Sequence, residues 1–313
     1  MDKTPPNRLP HRVSFVLMAI VLLLPGLLTA CGSQEASVQA KSSRAIQNKG
    51  SDTLVNVALA WAEAYRTVDP GVSIAVTGGG SGTGIAALIN GTVDIANASR
   101  QIKSDEIEAA QKNGIDPVEH VVAIDALAVI VNPDNPVNQL TIDQLSDIFT
   151  GRITNWKEVG GRDATIVLVS RESNSGTHVY FLEKVVRKDD AENKDIFAPQ
   201  TLMMPSSVGI TSEVSRNPNA IGYDGLGYVT ENEKTIAIAE NPDSPYVLPS
   251  VETAADGGYP LSRYLYMYTA GEPTGVIAEY LDWIRGPQGQ QIVAQAGFVP
   301  VAQGGNDESG ADR

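Results

Sequence analysis

A glycine-rich stretch, Thr77–Gly84, combines residue types that could bind an anion. It follows the β-branched alternation of residues 72–76, which predicts a strand, and it precedes the apolar run 85–89, which predicts a helix. The first N–H groups of such a helix are unpaired and carry partial positive charge, and Ser81 and Thr83 add hydroxyl donors. The stretch is a candidate anion cradle. Taken alone, it is more simply interpreted as a tight turn that ends in an ordinary N-cap.

The spacing of the glycines excludes three enzyme motifs. The phosphate loop of nucleotide hydrolases requires a Lys after the glycines, and none follows Gly84. The nucleophile elbow Gly-x-Ser-x-Gly fails because Thr83 stands two residues after Ser81. The dinucleotide pattern Gly-x-Gly-x-x-Gly fails in every frame. The stretch therefore lacks the side chains that chemistry on a nucleotide or an ester needs.

Two further hydroxyl-rich turns, Gly50–Thr53 and Ser170–Thr177, precede predicted helices. The second follows a predicted strand and contributes Arg171. Near the end of another short predicted strand, Ser99 and Arg100 stand in a turn. Hydroxyls, helix-start N–H groups and two guanidinium charges together suit a small tetrahedral dianion, but they do not choose among oxyanions. The alternative is a set of well-capped helices with solvent-facing Arg side chains.

Strands and helices alternate through residues 45–296, and this order predicts an α/β fold with mostly parallel sheets. The last part of this pattern, residues 274–296, predicts helical structure. In α/β folds, ligands bind at the carboxyl ends of strands, where the helices begin. The three turns stand at such places, so we expect the functional site there.

The amino-terminal residues 1–30 resemble the signal peptide of a bacterial lipoprotein. Basic residues precede an apolar run that is too short for a membrane span, and Leu28–Cys31 resembles a lipobox. We expect cleavage before Cys31 and acylation of its thiol, with palmitate among the lipids; a plain secretory signal is the alternative. Residues 31–44 predict a flexible tether, and residues 302–313 predict a disordered tail.

The composition limits the partners. The 313 residues contain 23 Lys and Arg against 37 Asp and Glu, a net charge of −14, so the chain repels nucleic acid and anionic lipid. A bound anion must therefore be held by local donors rather than by the overall field. The single Cys excludes an internal disulfide, and the His and Cys residues show no metal-binding spacing.

Several motifs together resemble the phosphate-binding proteins of bacterial ABC transporters. These motifs are Gly50–Thr53, Gly79–Gly84, Ala98–Arg100, Ile148–Gly161, Ser170–Thr177, Ala220–Tyr223 and Tyr259–Arg263. They run in the family's order from Lys49 to Pro300. The resemblance implies a two-lobed, type II-like periplasmic-binding-protein fold with a ligand cleft between the lobes. Lobe I is predicted to contain residues 45–125 and 262–301, and lobe II residues 126–261.

The resemblance also assigns phosphate-binding positions. The family's ligand positions fall on Thr53, Ser81, Arg171, Ser175, Gly176 and Thr177. Ser51, Ser99 and Arg100 complete the set of candidates. In one branch of the family an Asp stands in place of Arg100, accepts the proton of hydrogen phosphate and thereby rejects sulfate. Because this chain has Arg at that position, the resemblance leaves its choice between phosphate and other oxyanions open.

Another carboxylate must then accept the proton of a protonated ligand. We name Asp52 as the candidate acceptor, with Asp94 behind it; the alternatives are an N-cap role for Asp52 and a turn role for Asp94. His178 stands where many relatives carry Arg, and we expect it to face solvent.

The predicted function is capture of inorganic phosphate and its delivery to the permease and ATPase subunits of an ABC transporter. The resemblance implies no catalysis, and we expect no cofactor, no metal, a monomer, and a lipid anchor on the cell membrane facing the periplasm or the exterior. One alternative is a binding protein for another oxyanion such as sulfate or molybdate. A secreted phosphatase-like hydrolase is the other, but the sequence shows neither the metal cluster nor the nucleophile with a positioned base that it needs.

Overall fold

The computed structural model describes residues 44–301. The predicted signal peptide 1–30, Cys31, nearly all of the predicted tether 31–44 and the predicted tail 302–313 lie outside this range. Within residues 44–301, no helix combines the length and the apolar character that a membrane crossing requires.

Strands and helices alternate along the described chain. The strands are β1 (Arg44–Gly50), β2 (Val72–Thr77), β3 (Ile95–Ala98), β4 (Pro117–Val131), β5 (Gln139–Thr141), β6 (Val167–Arg171), β7 (Leu202–Met204), β8 (Ala220–Gly225), β9 (Lys234–Thr235), β10 (Ala237–Ala239) and β11 (Ser262–Ala270). The helices are α1 (Val55–Val68), α2 (Ser81–Ile89), α3 (Ser104–Lys112), α4 (Ile142–Thr150), α5 (Gly176–Phe181), α6 (Ser207–Arg216), α7 (Val251–Ala255), α8 (Gly275–Arg285) and α9 (Pro287–Gln295).

One curled sheet runs through the protein in the order β2-β1-β3-β11-β4-β8-β6-β7, with β9 also paired to β4 and a separate pair β10-β5. The prediction of mostly parallel sheets is correct for the outer strands and wrong at the centre. β1 is parallel to β2 and β3, and β6 is parallel to β7 and β8. β11 and β4 are antiparallel to their neighbours, because the chain crosses between the halves of the protein once in each direction.

The long strand β4 joins the two lobes of the fold. Its first part pairs with β11 up to Ala126, and its second part pairs with β8 from Leu127 onward. Leu127 also receives the returning chain, since its N–H donates to the carbonyl of Leu261. The exact lobe boundaries remain a prediction.

Each lobe has its own apolar core. In the first, Trp61 of α1 packs with Tyr280 and Ile284 of α8 and donates a hydrogen bond from Nε1 to the Gly289 carbonyl at 2.8 Å. The predicted helical region 274–296 consists of two helices, because the chain turns at Gly286 and Pro287 begins α9.

The core of the second lobe is rich in aromatic side chains. The ring of Phe181 stacks on Tyr223 with centroids 3.7 Å apart, and Phe149 meets both rings edge to face. Trp156 is 1% exposed in the same core. α5 and the end of β6 pack on this core, which thereby holds the hydroxyl-rich turn between them in place.

A buried histidine makes the stability of the first lobe depend on pH. His120 of β4 faces Thr269 with its Nε2 3.0 Å from the hydroxyl oxygen, and burial together with the charge of Arg285 lowers its pKa from 6.5 to about 4. Between pH 6.5 and pH 4, His120 therefore binds a proton in the unfolded chain but stays neutral in the folded one. The free energy of unfolding falls as the pH falls through this range. We expect His120→Gln to remove roughly 3 kcal/mol of this pH dependence.

Urea unfolding of wild type and His120→Gln at about pH 7 and about pH 4.5 measures this difference. His178, which is also buried, is present in both proteins and cancels. Equal pH dependence in the two proteins would show that His120 does not titrate in this range.

Candidate anion-binding site

The hydroxyl-rich turns of the sequence lie at the carboxyl ends of parallel strands. Ser51 follows β1, the glycine-rich stretch follows β2, and Ser99 follows β3, all in the first lobe. In the second lobe, Ser175 stands between β6 and α5. Because parallel strands end at one edge of the sheet, the three turns of the first lobe are neighbours. The second lobe brings its own turn against them.

Hydroxyl groups from separate turns converge within hydrogen-bond distance. Ser51 Oγ donates to Ser99 Oγ at 3.0 Å, and Ser81 Oγ lies 3.3 Å from Ser99 Oγ. Between the lobes, Thr53 Oγ1 lies 3.0 Å from Thr177 Oγ1. All five residues are buried. We call this set of five the hydroxyl cluster.

Two of these serines, Ser51 and Ser81, are not used as helix caps. This favours the interpretation of the turns as an anion site over their interpretation as ordinary capped helices. The N-cap of α2 is Gly80 at φ 88, and no side chain caps this helix. Ser51 likewise makes no capping hydrogen bond to the short helical turn Asp52–Leu54. The Ser51 and Ser81 hydroxyls point into the cluster instead, where they can donate to a ligand. Ser175 differs, since its Oγ accepts from the N–H groups of Thr177 and His178 at 3.2 and 3.4 Å.

Gly176 brings the second lobe into contact with the hydroxyl cluster. A Cβ atom at this position would lie 2.3 Å from Ser81 Oγ and 2.6 Å from Ser99 Oγ, closer than any side chain tolerates. The neighbouring Asn174 also touches the first lobe: its carbonyl accepts from Gly82 N at 3.0 Å, and its Nδ2 donates to the Gly79 carbonyl at 2.9 Å. The start of α5 therefore sits directly against the glycine-rich stretch.

Arg171 is buried and joins the two lobes by an ion pair. Its Nη2 donates to Asp52 Oδ2 at 2.5 Å, and its Nη1 donates to Ser207 Oγ at 3.0 Å. The other oxygen of Asp52 accepts from Gly79 N at 3.1 Å. Both carboxylate oxygens of Asp52 are thus held, one of them by Arg171. Asp94, the second acceptor candidate, accepts from Gln47 N with Oδ2 at 2.7 Å.

Arg100 lies beside the hydroxyl cluster but is paired with an acid of its own lobe. Its two terminal nitrogens hold both oxygens of Glu106 at 2.8 and 2.7 Å. With Ser99 and Arg263 it lines a cavity of about 430 Å³ between the lobes, which Tyr180 and Tyr264 border on the other sides. Glu106 therefore neutralises much of the charge of Arg100, so Arg100 attracts an anion less strongly than an unpaired arginine would.

Arg263 is the cationic residue at this site that sequence reasoning did not select. It stands at the start of β11, 6% exposed, and its Nη2 lies 3.0 Å from Thr177 Oγ1 and 3.5 Å from Thr53 Oγ1. The same guanidinium holds Asp125 Oδ2 through Nε at 3.2 Å and Nη2 at 2.8 Å.

Two sequence signals could have pointed to this pair. Arg263 ends one of the motifs that carried the resemblance, Tyr259–Arg263. Asp125 is the single charge in the apolar run of β4, and a lone charge in a buried strand requires a partner.

Two fully buried acids lie behind the arginines. Burial raises the pKa of Asp125, and the charge and hydrogen bonds of Arg263 oppose this effect. Burial likewise raises the pKa of Asp224 to about 6, against the charge of Arg171. Such shifted acids concentrate at functional sites.

The expectation that His178 faces solvent is wrong. The residue is 7% exposed, its Nδ1 lies 3.2 Å from Ser170 Oγ, and its ring packs against Phe197 with centroids 4.6 Å apart. Burial lowers its pKa, so the ring is neutral near pH 7 and is a structural member of the second lobe. Among the described residues, no group of three or more His, Cys, Asp or Glu side chains could hold a metal ion.

Comparison with known proteins agrees with this architecture. The family model described as a PBP superfamily domain matches residues 35–287. The phosphate-binding protein PstS of Pseudomonas aeruginosa is 35% identical over 273 residues, which cover 82% of this chain and 83% of that protein. The PstS protein of Bacillus subtilis is 34% identical over 299 residues, with 91% and 93% covered.

The chain belongs to the PBP superfamily and, within it, to the PstS family. The crystal structure of a putative phosphate ABC transporter substrate-binding protein with bound phosphate, from Clostridium perfringens, superposes with a TM-score of 0.74 at 34% identity. It covers 83% of this chain and 100% of that one. An ABC-type phosphate transport receptor from Vibrio cholerae superposes with a TM-score of 0.65 at 30% identity, covering 81% and 99%. PstS membership fits a two-lobed binding protein rather than an enzyme.

Proposed function

We propose that this protein captures inorganic phosphate between its lobes and delivers it to an ABC transporter. The observation that carries the proposal is the meeting of Ser81 and Ser99 of the first lobe with Gly176 of the second. An anion at that point receives hydroxyl donors and helix-start N–H groups from both lobes, with Arg171 and Arg263 beside it. The PstS relatives and the phosphate-bound structure from Clostridium perfringens support the choice of phosphate.

The net charge of −14 makes local recognition necessary. Long-range attraction does not bring an anion to so acidic a protein, so buried donors must compensate for the unfavourable field. Backbone N–H groups and hydroxyls do so without adding charge, and buried guanidinium groups add it only at the site. The proposed phosphate-binding set is Ser51, Thr53, Ser81, Ser99, Arg100, Arg171, Ser175, Gly176 and Thr177, to which we add Arg263.

Titration calorimetry with phosphate, arsenate and sulfate at two pH values tests the proposal. We expect phosphate and arsenate to bind with similar heats and sulfate to bind weakly or not at all. Ser81→Ala should weaken phosphate binding, whereas Ser244→Ala, a partly exposed serine in the loop after β10, is the matched control. Tighter binding of sulfate or molybdate than of phosphate would favour the alternative ligand, and turnover of a chromogenic phosphate ester would favour a hydrolase.

Binding is proposed to close the lobes. Ligand contacts from both sides stabilise the closed form over the open one by their difference in free energy. Small-angle scattering should therefore show a smaller radius of gyration with saturating phosphate. No compaction would contradict closure.

Anchoring and assembly are also part of the proposal. We infer acylation at Cys31, a monomeric protein, and delivery of the ligand, at the outer side of the cell membrane, to the permease that works with the ATPase subunits of an ABC transporter. Cys31→Ser expressed in a bacterial host should appear in the soluble fraction, whereas the wild type should sediment with membranes. Equal distribution of the two proteins would contradict the lipid anchor.

Asp52 is proposed as the acceptor of the ligand's proton. A carboxylate accepts a hydrogen bond from hydrogen phosphate, whereas sulfate offers no proton and is repelled. We expect Asp52→Asn to lower the phosphate-over-sulfate affinity ratio by about 10-fold to 100-fold, the value of one hydrogen bond to a charged group. Calorimetry with both anions measures the ratio, and Asp243→Asn, which replaces an exposed acid in the loop after β10, is the control. An unchanged ratio in Asp52→Asn would exclude Asp52 as the acceptor.

A further inference from the structure

The buried charges around the site do not balance. Two cations, Arg171 and Arg263, face three acids, Asp52, Asp125 and Asp224. Arg171, Arg263 and the last two acids are almost completely buried, and the side chain of Asp52 is 16% exposed. With every group ionised this set carries one net negative charge before any anion arrives. Each further negative charge in such a low-dielectric place is costly unless it is compensated.

Within residues 44–301, Asp224 is the acid of this set that lacks a direct cationic partner. Its Oδ1 accepts from Ser207 Oγ at 3.0 Å and from Gly225 N at 2.8 Å. Its Oδ2 is buried and has no hydrogen-bond partner within the described part of the chain. Arg171 reaches it only through Ser207, whose hydroxyl accepts from Nη1 and donates to the carboxylate. Asp52 and Asp125, by contrast, are each held directly by an arginine.

The described elements that pack around Asp224, all between residues 44 and 301, offer it no other positive charge. From β4, Asp125 adds a second negative charge, with its carboxylate packed against Gly225. Next to it on β8 is Tyr223, whose hydroxyl hydrogen-bonds Ser170 Oγ. From the turn after β8, Tyr228 donates to the Asp52 carbonyl.

The remaining neighbours of Asp224 are uncharged or belong to the pairs already described. α6 presents Ser207 and then apolar side chains, Ile210 and Val214. β6 presents Arg171, and β11 presents Arg263 on the far side of Asp125. A new negative charge at the hydroxyl cluster therefore disfavours the ionised form of Asp224, whose Oδ2 has no hydrogen-bond partner among the described residues to offset the effect.

We propose that Asp224 takes up one proton from the solvent when the hydroxyl cluster binds its anion. This inference rests on the proposed function and adds a residue that sets how affinity depends on pH. Burial already raises the pKa of Asp224 to about 6, and a bound anion raises it further because like charges disfavour ionisation. At a pH between the pKa of Asp224 in the free protein and its pKa in the anion-bound protein, binding adds a proton to the protein. The affinity for the anion therefore falls as the pH rises.

Proton linkage in calorimetry tests the proposal on the full chain. Inorganic phosphate is titrated at about pH 7.5 in two buffers with different ionisation enthalpies, which gives the number of protons taken up on binding. We expect wild type to take up at least about half a proton more than Asp224→Asn. Protonation of phosphate itself contributes equally to both proteins and cancels. Asp243→Asn, an exposed acid in the loop after β10, is the matched control and should equal wild type.

The pH profile gives a second readout. The phosphate affinity of wild type should fall more steeply with pH than that of Asp224→Asn, by up to about tenfold per pH unit. If Asp224 had only a structural role, the affinity of Asp224→Asn would differ from that of wild type by the same factor at every pH, and the two slopes would be equal. Equal proton numbers together with equal slopes would overturn the proposal.

Other outcomes distinguish a failure of the proposed function from a failure of the proposed role of Asp224. If wild type gives no heat with phosphate, the proposed function has failed, whereas heat without a proton difference defeats only the role of Asp224. If Asp224→Asn does not fold, difference infrared spectroscopy of wild type with and without phosphate replaces it. A new carbonyl band of a protonated carboxyl group supports the proposal when Ser207→Ala, which removes a hydrogen bond to Asp224, shifts it. The absence of the band overturns the proposal.

Discussion

Replacing Gly176 by alanine is expected to lower phosphate affinity by about 100-fold or more, while the protein stays folded. The new methyl group would stand 2.3 Å from Ser81 Oγ and 2.6 Å from Ser99 Oγ, at the point where the two lobes meet. Either the lobes must stay apart or the hydroxyls must move away from the anion. Overpacking of this kind costs about 1–3 kcal/mol, and lost hydrogen bonds to a charged ligand add to it.

Calorimetry with phosphate measures the loss, and thermal unfolding without ligand checks the fold. Gly209→Ala is the matched control, because Gly209 also lies near a helix start and a Cβ there would approach nothing closer than 3.3 Å. Near-normal affinity in Gly176→Ala would mean that phosphate does not bind between Ser81, Ser99 and α5.

Replacing Arg263 by methionine is expected to destabilise the protein by about 3–5 kcal/mol, because it leaves the carboxylate of Asp125 buried and unpaired. Asp125 is 0% exposed, and Arg263 holds its Oδ2 with two nitrogens. Phosphate affinity should fall as well, since Arg263 Nη2 lies 3.0 Å from Thr177 Oγ1. Urea unfolding gives the stability, and calorimetry gives the affinity.

The double variant Arg263→Met with Asp125→Asn separates the two effects. Removing the unpaired charge should restore most of the stability but not the phosphate affinity. The single variant should also regain stability as the pH falls, because an unpaired buried carboxyl group binds a proton more tightly folded than unfolded. Arg285→Met, which removes an exposed i,i+3 pair with Asp282, should change stability by no more than about 0.5 kcal/mol. A similarly small effect of Arg263→Met would contradict the predicted role of the pair.

These variants address how an acidic protein binds an anion. The cluster relies on neutral hydroxyl and N–H donors from α2, α5 and the turn after β3, while each nearby arginine is already paired with an acid. A guanidinium group that is paired with an acid still has unused N–H groups that can donate to the ligand, and the pair avoids an isolated buried charge. As a result, the buried acids outnumber the buried arginines, and protonation of Asp224 can remove the extra negative charge.

The sequence by itself determined the helix starts and the order of the elements. Ser51, Ser81 and Ser175 stand at strand–helix junctions because β-branched alternation, glycine and capping residue types are local signals. The sites at the ends of β1, β2 and β6 could therefore be predicted from residues close to one another in the chain. The two-lobed fold was predicted through the resemblance, which these same motifs carried.

Only the tertiary structure decided which charges meet. The pairing of Arg263 with Asp125 joins residues 138 positions apart, and that of Arg171 with Asp52 joins residues 119 positions apart. No local pattern encodes such contacts, because they depend on how the two lobes pack across β4 and β11. The same packing buries His178 and Asp224. Arg100, by contrast, pairs with Glu106 only six positions along the chain. Local propensity positions the donors of this site, whereas long-range packing sets its charge balance.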